Sequence, residues 1–117
     1  MGYRAHALTK REVEYGNGTF NWNTDTLKKV LKGYCPTSFY GGDEWGDGED
    51  WEVSTHEFKE MLGEIKRGTQ EDFTAKTGIE FVGGIDEMTF DDIVKGLETL
   101  YEDGKQAKKE FIYISWF

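Results

Sequence analysis

The sequence contains one cysteine and one proline among its 117 residues. A single thiol, Cys35, excludes a disulfide framework within the chain and is typical of a protein in a reducing compartment. No partner that would activate this thiol as a nucleophile is evident, so we expect Cys35 to be a structural residue at a helix end. The N-terminal segment MGYRAHALTKRE lacks the apolar stretch of a signal peptide, and we expect a cytoplasmic protein.

Long hydrophobic runs are missing as well. The longest, FIYISWF at the C-terminus, has seven residues, whereas a membrane-spanning helix needs about 20. Hydrophobic residues nevertheless make up 37% of the chain and aromatic residues 15%, which is too apolar for an intrinsically disordered protein. The sequence therefore predicts a single globular domain over residues 1–117 that makes no contact with membranes.

Motifs that would identify an enzyme are absent. His6 and His56 are fifty residues apart, and neither lies in an H-x-x-x-H or C-x-x-C context, which argues against a transition-metal site. The sequence has no G-x-S-x-G, no Walker glycine-lysine loop and no G-x-G-x-x-G. Paired carboxylates carry little information in a chain with 23 acidic residues, because some pair always lies close enough for acid–base work. We expect a non-enzymatic protein with no catalytic residue and no cofactor.

A calcium loop of the EF-hand type is also missing, although part of its pattern is present. Asp43, Asp47 and Gly48 match positions 1, 5 and 6 of such a loop. Trp45 would then occupy position 3 and Ser54 position 12, which must supply a bidentate carboxylate. A looser divalent-cation or small-ligand site remains an alternative, because glycines let carboxylates converge on a hard cation. Its candidate ligands are Asp43, Asp47, Glu49 and Asp50.

Negative charge is what the sequence has in excess, and it is unevenly distributed. The net charge is −9, but residues 40–103 carry nineteen acidic and five basic residues, whereas residues 1–39 carry three acidic and six basic ones. The densest stretch is YGGDEWGDGEDWE, residues 40–52, with six carboxylates, two tryptophans and four glycines. A surface this acidic repels nucleic-acid phosphates and attracts basic partners. We expect no direct binding of nucleic acid.

Three segments have the periodicity of amphipathic helices, with apolar residues three or four positions apart. The first is predicted over about residues 24–34, with Asn23 or Thr24 as its N-cap. The second ends before Gly68, and Ser54 and Glu57 form an S-x-x-E capping box at its start. The third is predicted over about residues 90–103. Between the last two, TQEDFTAKTG is compatible with one further helical turn.

Strand patterns lie at both ends of the chain. YRAHALT alternates, and REVEYGNGTFNWN predicts a strand, a Gly-Asn-Gly turn and a returning strand. EFIYISWF is apolar on both faces, which predicts a strand buried on both sides in the sheet interior, with Trp116 and Phe117 docked. IEFVGG predicts another short strand. The fold class that follows is α+β: a small antiparallel sheet containing both chain ends, packed by about three amphipathic helices.

The acidic residues suggest a docking surface for a basic partner. Glu57, Glu60 and Glu64 line one side of the second predicted helix, and a row of carboxylates can mimic nucleic-acid phosphates. Exposed tryptophan beside carboxylates can stack on an arginine guanidinium; the alternative for Trp51 is that it turns inward and anchors the loop to the sheet. The candidate partner-binding residues are Asp43, Glu44, Trp45, Asp47, Glu49, Asp50, Trp51, Glu57, Glu60 and Glu64.

The opening residues MGYR resemble the beginnings of small phage and prophage proteins of unassigned function. This resemblance implies an acidic accessory protein that acts in the host cytoplasm and inhibits a defence or nucleic-acid enzyme. A different possibility is a homo-oligomeric structural accessory protein that dimerises through its aromatic C-terminal strand. The leading expectation is a non-enzymatic acidic module that docks on a basic surface of a partner protein and inhibits or regulates it.

Overall fold

The fold is given by a computed structural model, which describes residues 4–9, 16–21, 23–40, 51–83 and 87–116. Its helices and strands, in chain order, are β1 (Ala5–Ala7), α1 (Thr24–Tyr34), β2 (Trp51–Ser54), α2 (Thr55–Arg67), α3 (Gln70–Thr77), α4 (Phe90–Gly104) and β3 (Phe111–Trp116). A short 3-10 turn, Lys105–Ala107, connects α4 to the last strand. The α+β class is confirmed: helices pack on a small antiparallel sheet that contains strands from both chain ends.

The sheet is organised around the C-terminal strand. The strand order is β1-β3-β2, and both pairings are antiparallel, with Ala5 opposite Trp116 and Trp51 opposite Ile114. The predicted interior position of the last strand is therefore confirmed. The predicted docking of the C-terminus is confirmed for Trp116, which is buried in the core, whereas Phe117 lies outside the described residues.

The two faces of β3 differ more than the sequence suggested. Its side chains alternate between buried and half-buried, and the buried ones are Ile112, Ile114 and Trp116. These three join one core cluster with the apolar faces of α2 and α4, which pack against each other and against the sheet. The prediction of a strand fully buried on both sides is wrong, because the helices supply a close-packed partner for one face of the sheet.

The helix bounds follow the predicted periodicity closely, and the main surprise lies in α3. This helix has eight residues, two turns instead of one, because a complete capping box forms between Thr69 and Asp72. It ends at Gly78, whose φ of 76° is in the left-handed region that glycine tolerates. At the start of α1, Asn23 is the N-cap residue, as predicted, but its side chain makes no capping hydrogen bond; its Nδ2 donates to the carbonyl of Asn21 at 2.7 Å instead.

Two strand predictions fail where they can be checked. Residues 79–83 do not form a strand; instead Ile79 and Phe81 pack on the core, Phe81 beside Phe73 of α3. Of the predicted hairpin, residues 10–15 lie outside the described residues. The segment after the Gly-Asn-Gly turn reaches the sheet through a single bridge, in which Thr19 and Ala5 exchange backbone hydrogen bonds of 2.8 and 3.0 Å.

Gly96 allows α4 to approach this N-terminal segment closely. A Cβ at position 96 would lie 2.6 Å from Thr19 Oγ1 and 2.7 Å from the Phe20 ring. Phe20 is buried and has a φ of 54°, so its ring is held in place and cannot retreat easily. The absence of a side chain at position 96 is therefore a packing requirement in the middle of a helix.

We expect Gly96→Ala to lower the free energy of unfolding by about 1–3 kcal/mol, the usual cost of overpacking a core. Alanine is otherwise favoured over glycine inside a helix by about 1 kcal/mol, so the loss would report the clash. Gly63→Ala in α2 is the matched control, because the nearest atom there is the end of the flexible Arg67 side chain. Urea unfolding should show that the control is neutral or stabilising; equal effects would contradict the packing argument.

Candidate functional site

Most of the predicted docking residues fall in a part of the chain that the structure does not describe. They are Asp43, Glu44, Trp45, Asp47, Glu49 and Asp50. The candidate cation ligands belong to the same set, so the cation site stays a prediction. Among the residues that the structure does describe, no group of three or more His, Cys, Asp or Glu side chains could hold a metal ion.

Trp51 belongs to the core. As the first residue of β2 it is 1% exposed, and its ring packs edge-on against Phe39 at 5.3 Å and Trp116 at 5.1 Å between centroids. The burial removes this ring from any docking surface. It matches the alternative in which Trp51 anchors the end of the acidic stretch to the sheet.

Glu57 has a structural role at the start of α2. Its carboxylate accepts hydrogen bonds from Thr37 Oγ1 at 2.8 Å and from Ser38 Oγ at 2.6 Å. Ser54 caps the helix by accepting from the Glu57 backbone N–H, as predicted. The reciprocal bond of the capping box, from the Ser54 N–H to the Glu57 carboxylate, is indirect. The Ser54 N–H donates to Ser38 Oγ at 3.1 Å, and Ser38 Oγ donates to Glu57. Glu57 thus holds the turn after α1 against α2.

The hydrogen bonds from Ser38 and Thr37 lower the pKa of Glu57 below its ordinary value of 4.5. The folded protein therefore binds this proton less readily than the unfolded chain does. The resulting stabilisation is fully present above pH 4.5 and disappears as the pH falls through the lower pKa of the folded state.

We expect Glu57→Gln to lower the free energy of unfolding by about 1 kcal/mol at neutral pH, since an amide replaces a charged acceptor of two hydroxyls. The deficit relative to the unmodified protein should shrink as the pH falls below 4.5 and through the lowered pKa of the Glu57 carboxylate. Urea unfolding across this pH range measures it. Glu60→Gln on the exposed side of α2 is the control, and an equal, pH-independent deficit in both variants would contradict the structural role of Glu57.

The environment of Cys35 disfavours a role as a nucleophile. It is buried, its Sγ lies 3.9 Å from the sulfur of Met61, and burial together with the neighbouring Glu57 raises its pKa from 9.0 to about 12. A thiolate, the reactive species, is therefore strongly disfavoured in the folded protein.

Thiol labelling tests this assignment. At pH 8 the folded protein should react with iodoacetamide at least about 100-fold more slowly than the protein in urea, because both the thiolate fraction and the access to it are reduced. Reaction of the folded protein at the rate of the unfolded one would show that Cys35 is accessible and would contradict its assignment as a purely structural residue.

Glu60 and Glu64 lie on the exposed side of α2, as predicted, but each has the side-chain nitrogen of another residue close to its carboxylate. Glu60 lies 3.0 Å from His56 Nε2, and Glu64 lies 3.3 Å from Lys76 Nζ of α3. The same side of α2 borders a shallow groove of about 650 Å³ that is also lined by Lys59 and Arg67. This surface is mixed in charge and does not present an uninterrupted acidic row.

The acidic side chains of segment 51–103 fall into groups with different surroundings. Some accept structural hydrogen bonds, as Asp72, Asp92 and Asp103 do from backbone N–H groups. Others pair with a cation, as Glu98 does with Lys66 at 2.6 Å. Within the described part of this segment, four carboxylates have neither kind of bond, and these are Glu52, Glu71, Glu80 and Asp91.

Three of these four are direct chain neighbours of residues that line one groove. Glu71 follows Gln70, Glu80 precedes Phe81, and Asp91 follows Phe90, and all three neighbours line a groove of about 470 Å³. We call it the α3–α4 groove, because it lies at the N-termini of those two helices. Its other lining residues are Gly83, Glu87, Met88 and Thr89.

The floor of the α3–α4 groove is aromatic. Phe81 and Phe90 are half-buried, and their rings meet edge-on at 6.1 Å. Beneath them Phe73 is fully buried, with its ring 5.2 Å from Phe90 and 6.0 Å from Phe81. Val82 beside the groove is 80% exposed, which is unusual for a large apolar side chain. The strand predicted for IEFVGG concealed this site in the sequence. The signal that indicates it is a set of apolar residues at positions 81, 82, 88 and 90, interleaved with acidic residues.

Comparison of the chain with protein-family models, curated proteins and solved structures finds no match. Within the described ranges, none of the helices combines the length and the apolar composition needed to cross a bilayer. Function has to be inferred from the chemistry of the α3–α4 groove and of the acidic side chains around it.

Proposed function

We propose that the protein is a non-enzymatic acidic module that docks on a basic surface of another protein and inhibits or regulates it. The observation that carries the proposal is that Glu71, Glu80 and Asp91, which have no described hydrogen bond or ion pair, are chain neighbours of residues that line the α3–α4 groove. Over residues 70–83 and 87–92 the chain has six acidic residues and one lysine, Lys76, which pairs with Glu64 on α2. A basic surface brought against this region would meet few competing cations.

Fold stability accounts for part of this acidity only. Asp72 and Asp92 complete the capping boxes of α3 and α4, and the hydrogen bonds from Thr89 lower the pKa of Asp92. Glu71 and Asp91 lie in first turns, where the partial positive charge of a helix N-terminus favours them. Glu80 lies outside every described helix and has no described bond. A bound cationic partner supplies the positive charge that the fold itself does not place beside this carboxylate.

The sign and placement of the charge define the class of partner. Because the carboxylates are exposed, long-range attraction should speed association at low ionic strength and should weaken within a Debye length of about 8 Å at physiological salt. The acidic stretch at residues 40–52 adds to the same overall charge. In the setting that the MGYR resemblance implies, the partner would be a host enzyme whose basic channel normally holds nucleic acid.

Capture from a lysate at two ionic strengths tests the proposal. Partners held by the immobilised protein at about 50 mM salt should be released at about 500 mM. The triple variant Glu71→Gln, Glu80→Gln, Asp91→Asn should lose them even at low salt. A second triple variant, Asp25→Asn, Glu102→Gln, Glu110→Gln, changes the net charge by the same amount away from the groove and should retain them.

The outcome is read by quantitative mass spectrometry of the captured proteins. Equal recovery at both salt concentrations would contradict an electrostatic docking surface. Equal loss in both triple variants would show that only the total charge matters, and the role of the α3–α4 groove would have to be abandoned.

A further inference from the structure

We propose that the α3–α4 groove receives one large apolar side chain, aromatic or aliphatic, from a segment of the partner in which that residue is flanked by lysines or arginines. This inference rests on the proposed function and adds the recognition element that a basic surface alone does not supply. It assigns the aromatic floor to the anchor and the carboxylates around the groove to the flanking cations.

The floor has the geometry for an aromatic or aliphatic anchor. Phe73 connects it to the core: its ring is stacked on Tyr34 of α1 at 6.1 Å on one side and meets Phe90 edge-on at 5.2 Å on the other. Phe81 and Phe90 present their remaining exposed surface to the groove. A ring that enters would extend a series of edge-to-face contacts that already begins in the core.

The sides of the groove explain how an anchor would be held. Met88 lines it, and the unbranched thioether of methionine adapts its shape to different apolar partners. Val82 would lose its unfavourable exposure when a partner segment covers it. The volume of about 470 Å³ is within the range of about 300–1,000 Å³ that is usual for ligand-binding clefts. That size leaves room for a large apolar side chain.

Charge complementarity fixes the flanking residues of the partner. Glu87 lines the groove itself, and Glu71, Glu80 and Asp91 are direct chain neighbours of lining residues. An anionic segment would be repelled, and a neutral apolar segment would partly desolvate Glu71, Glu80 and Asp91 without supplying a positive charge to them. Lysine or arginine on either side of the anchor satisfies both constraints.

The groove on α2 is less suited than the α3–α4 groove to bind an apolar anchor flanked by basic residues. The α2 groove is larger, about 650 Å³, but Lys59, Arg67, Glu60 and Glu64 give it both signs of charge. It has no phenylalanine, tyrosine or tryptophan among its lining residues. It therefore lacks both the apolar floor and the single sign of charge on which the inference depends.

Two fluorescein-labelled synthetic heptapeptides test the inference on the full chain by fluorescence anisotropy. Both carry three alternating lysines and arginines on each side of the central position, which is tryptophan in one and alanine in the other. At about 50 mM salt we expect the tryptophan peptide to bind at least about tenfold more tightly. Val82→Ser and Met88→Gln should each reduce this preference markedly, and together should abolish it.

The matched control is Tyr40→Ser, which removes a second large apolar side chain that is strongly exposed among the described residues, at 68%, beside β2 and outside the lining of the groove. It should leave the tenfold preference intact. Urea unfolding of every variant shows which of them are folded. Because Val82→Ser changes an exposed side chain, we expect this variant to fold and to give an interpretable binding result.

The possible results separate the two proposals. Equal, salt-sensitive binding of both peptides would overturn the anchor and leave the acidic docking function standing. A tryptophan preference that persists in the doubly substituted groove would place the anchor elsewhere and overturn the assignment to this groove. Failure of both peptides to bind at low salt would count against the docking function itself, and the anchor would fall with it.

Discussion

The pairing of β3 with both other strands is the contact on which the rest of the fold depends. β3 joins residues from the two ends of the chain, and its buried side chains Ile112, Ile114 and Trp116 meet the apolar faces of α2 and α4. Trp51, opposite Ile114 in β2, packs its ring on Trp116. On one edge β1 pairs with Ile114, Ser115 and Trp116, and on the other β2 pairs with Phe111 to Ile114, so both neighbours of this strand come from the same chain.

The acidic residues have several distinct structural roles in this fold, which the net charge alone does not distinguish. Glu57 and Asp103 connect distant parts of the chain, Glu57 through Thr37 and Ser38 and Asp103 through the backbone N–H of Asn17. Other carboxylates cap helices or pair with lysines on neighbouring helices. Exposed pairs of that kind contribute little to stability, typically under about 1 kcal/mol, but they reduce the local charge. The carboxylates that have no described hydrogen bond or ion pair are therefore informative mainly through their position, and three of these four in the described part of segment 51–103 are chain neighbours of residues that line one groove.

Local information in the sequence predicted the helices well, and non-local contacts account for the failures. The 3.6-residue period and the Ser54 cap predicted α1, α2 and α4 nearly to the residue, because these features act within one or two turns. The interior position of β3 followed from its apolar composition. IEFVGG failed because its apolar side chains pack on α3 and α4 and do not pair with a strand. Glu57 was assigned to a docking surface because its partners, Thr37 and Ser38, lie about twenty positions earlier in the chain. No pattern within α2 could reveal them.

The α3–α4 groove and its acidity have a common structural origin. Two helices begin beside each other, so Gln70, Thr89 and Phe90 all line the groove, and each helix start favours acidic residues by capping and by its partial positive charge. The helix termini therefore lower the cost of holding Glu71 and Asp91 close to an apolar floor in the free protein. A cationic partner gains from the same side chains without having to displace a lysine or arginine from them, since no described contact pairs them with one. The starts of two neighbouring helices thus place negative charge near exposed aromatic surface. A basic segment with an apolar anchor requires this combination.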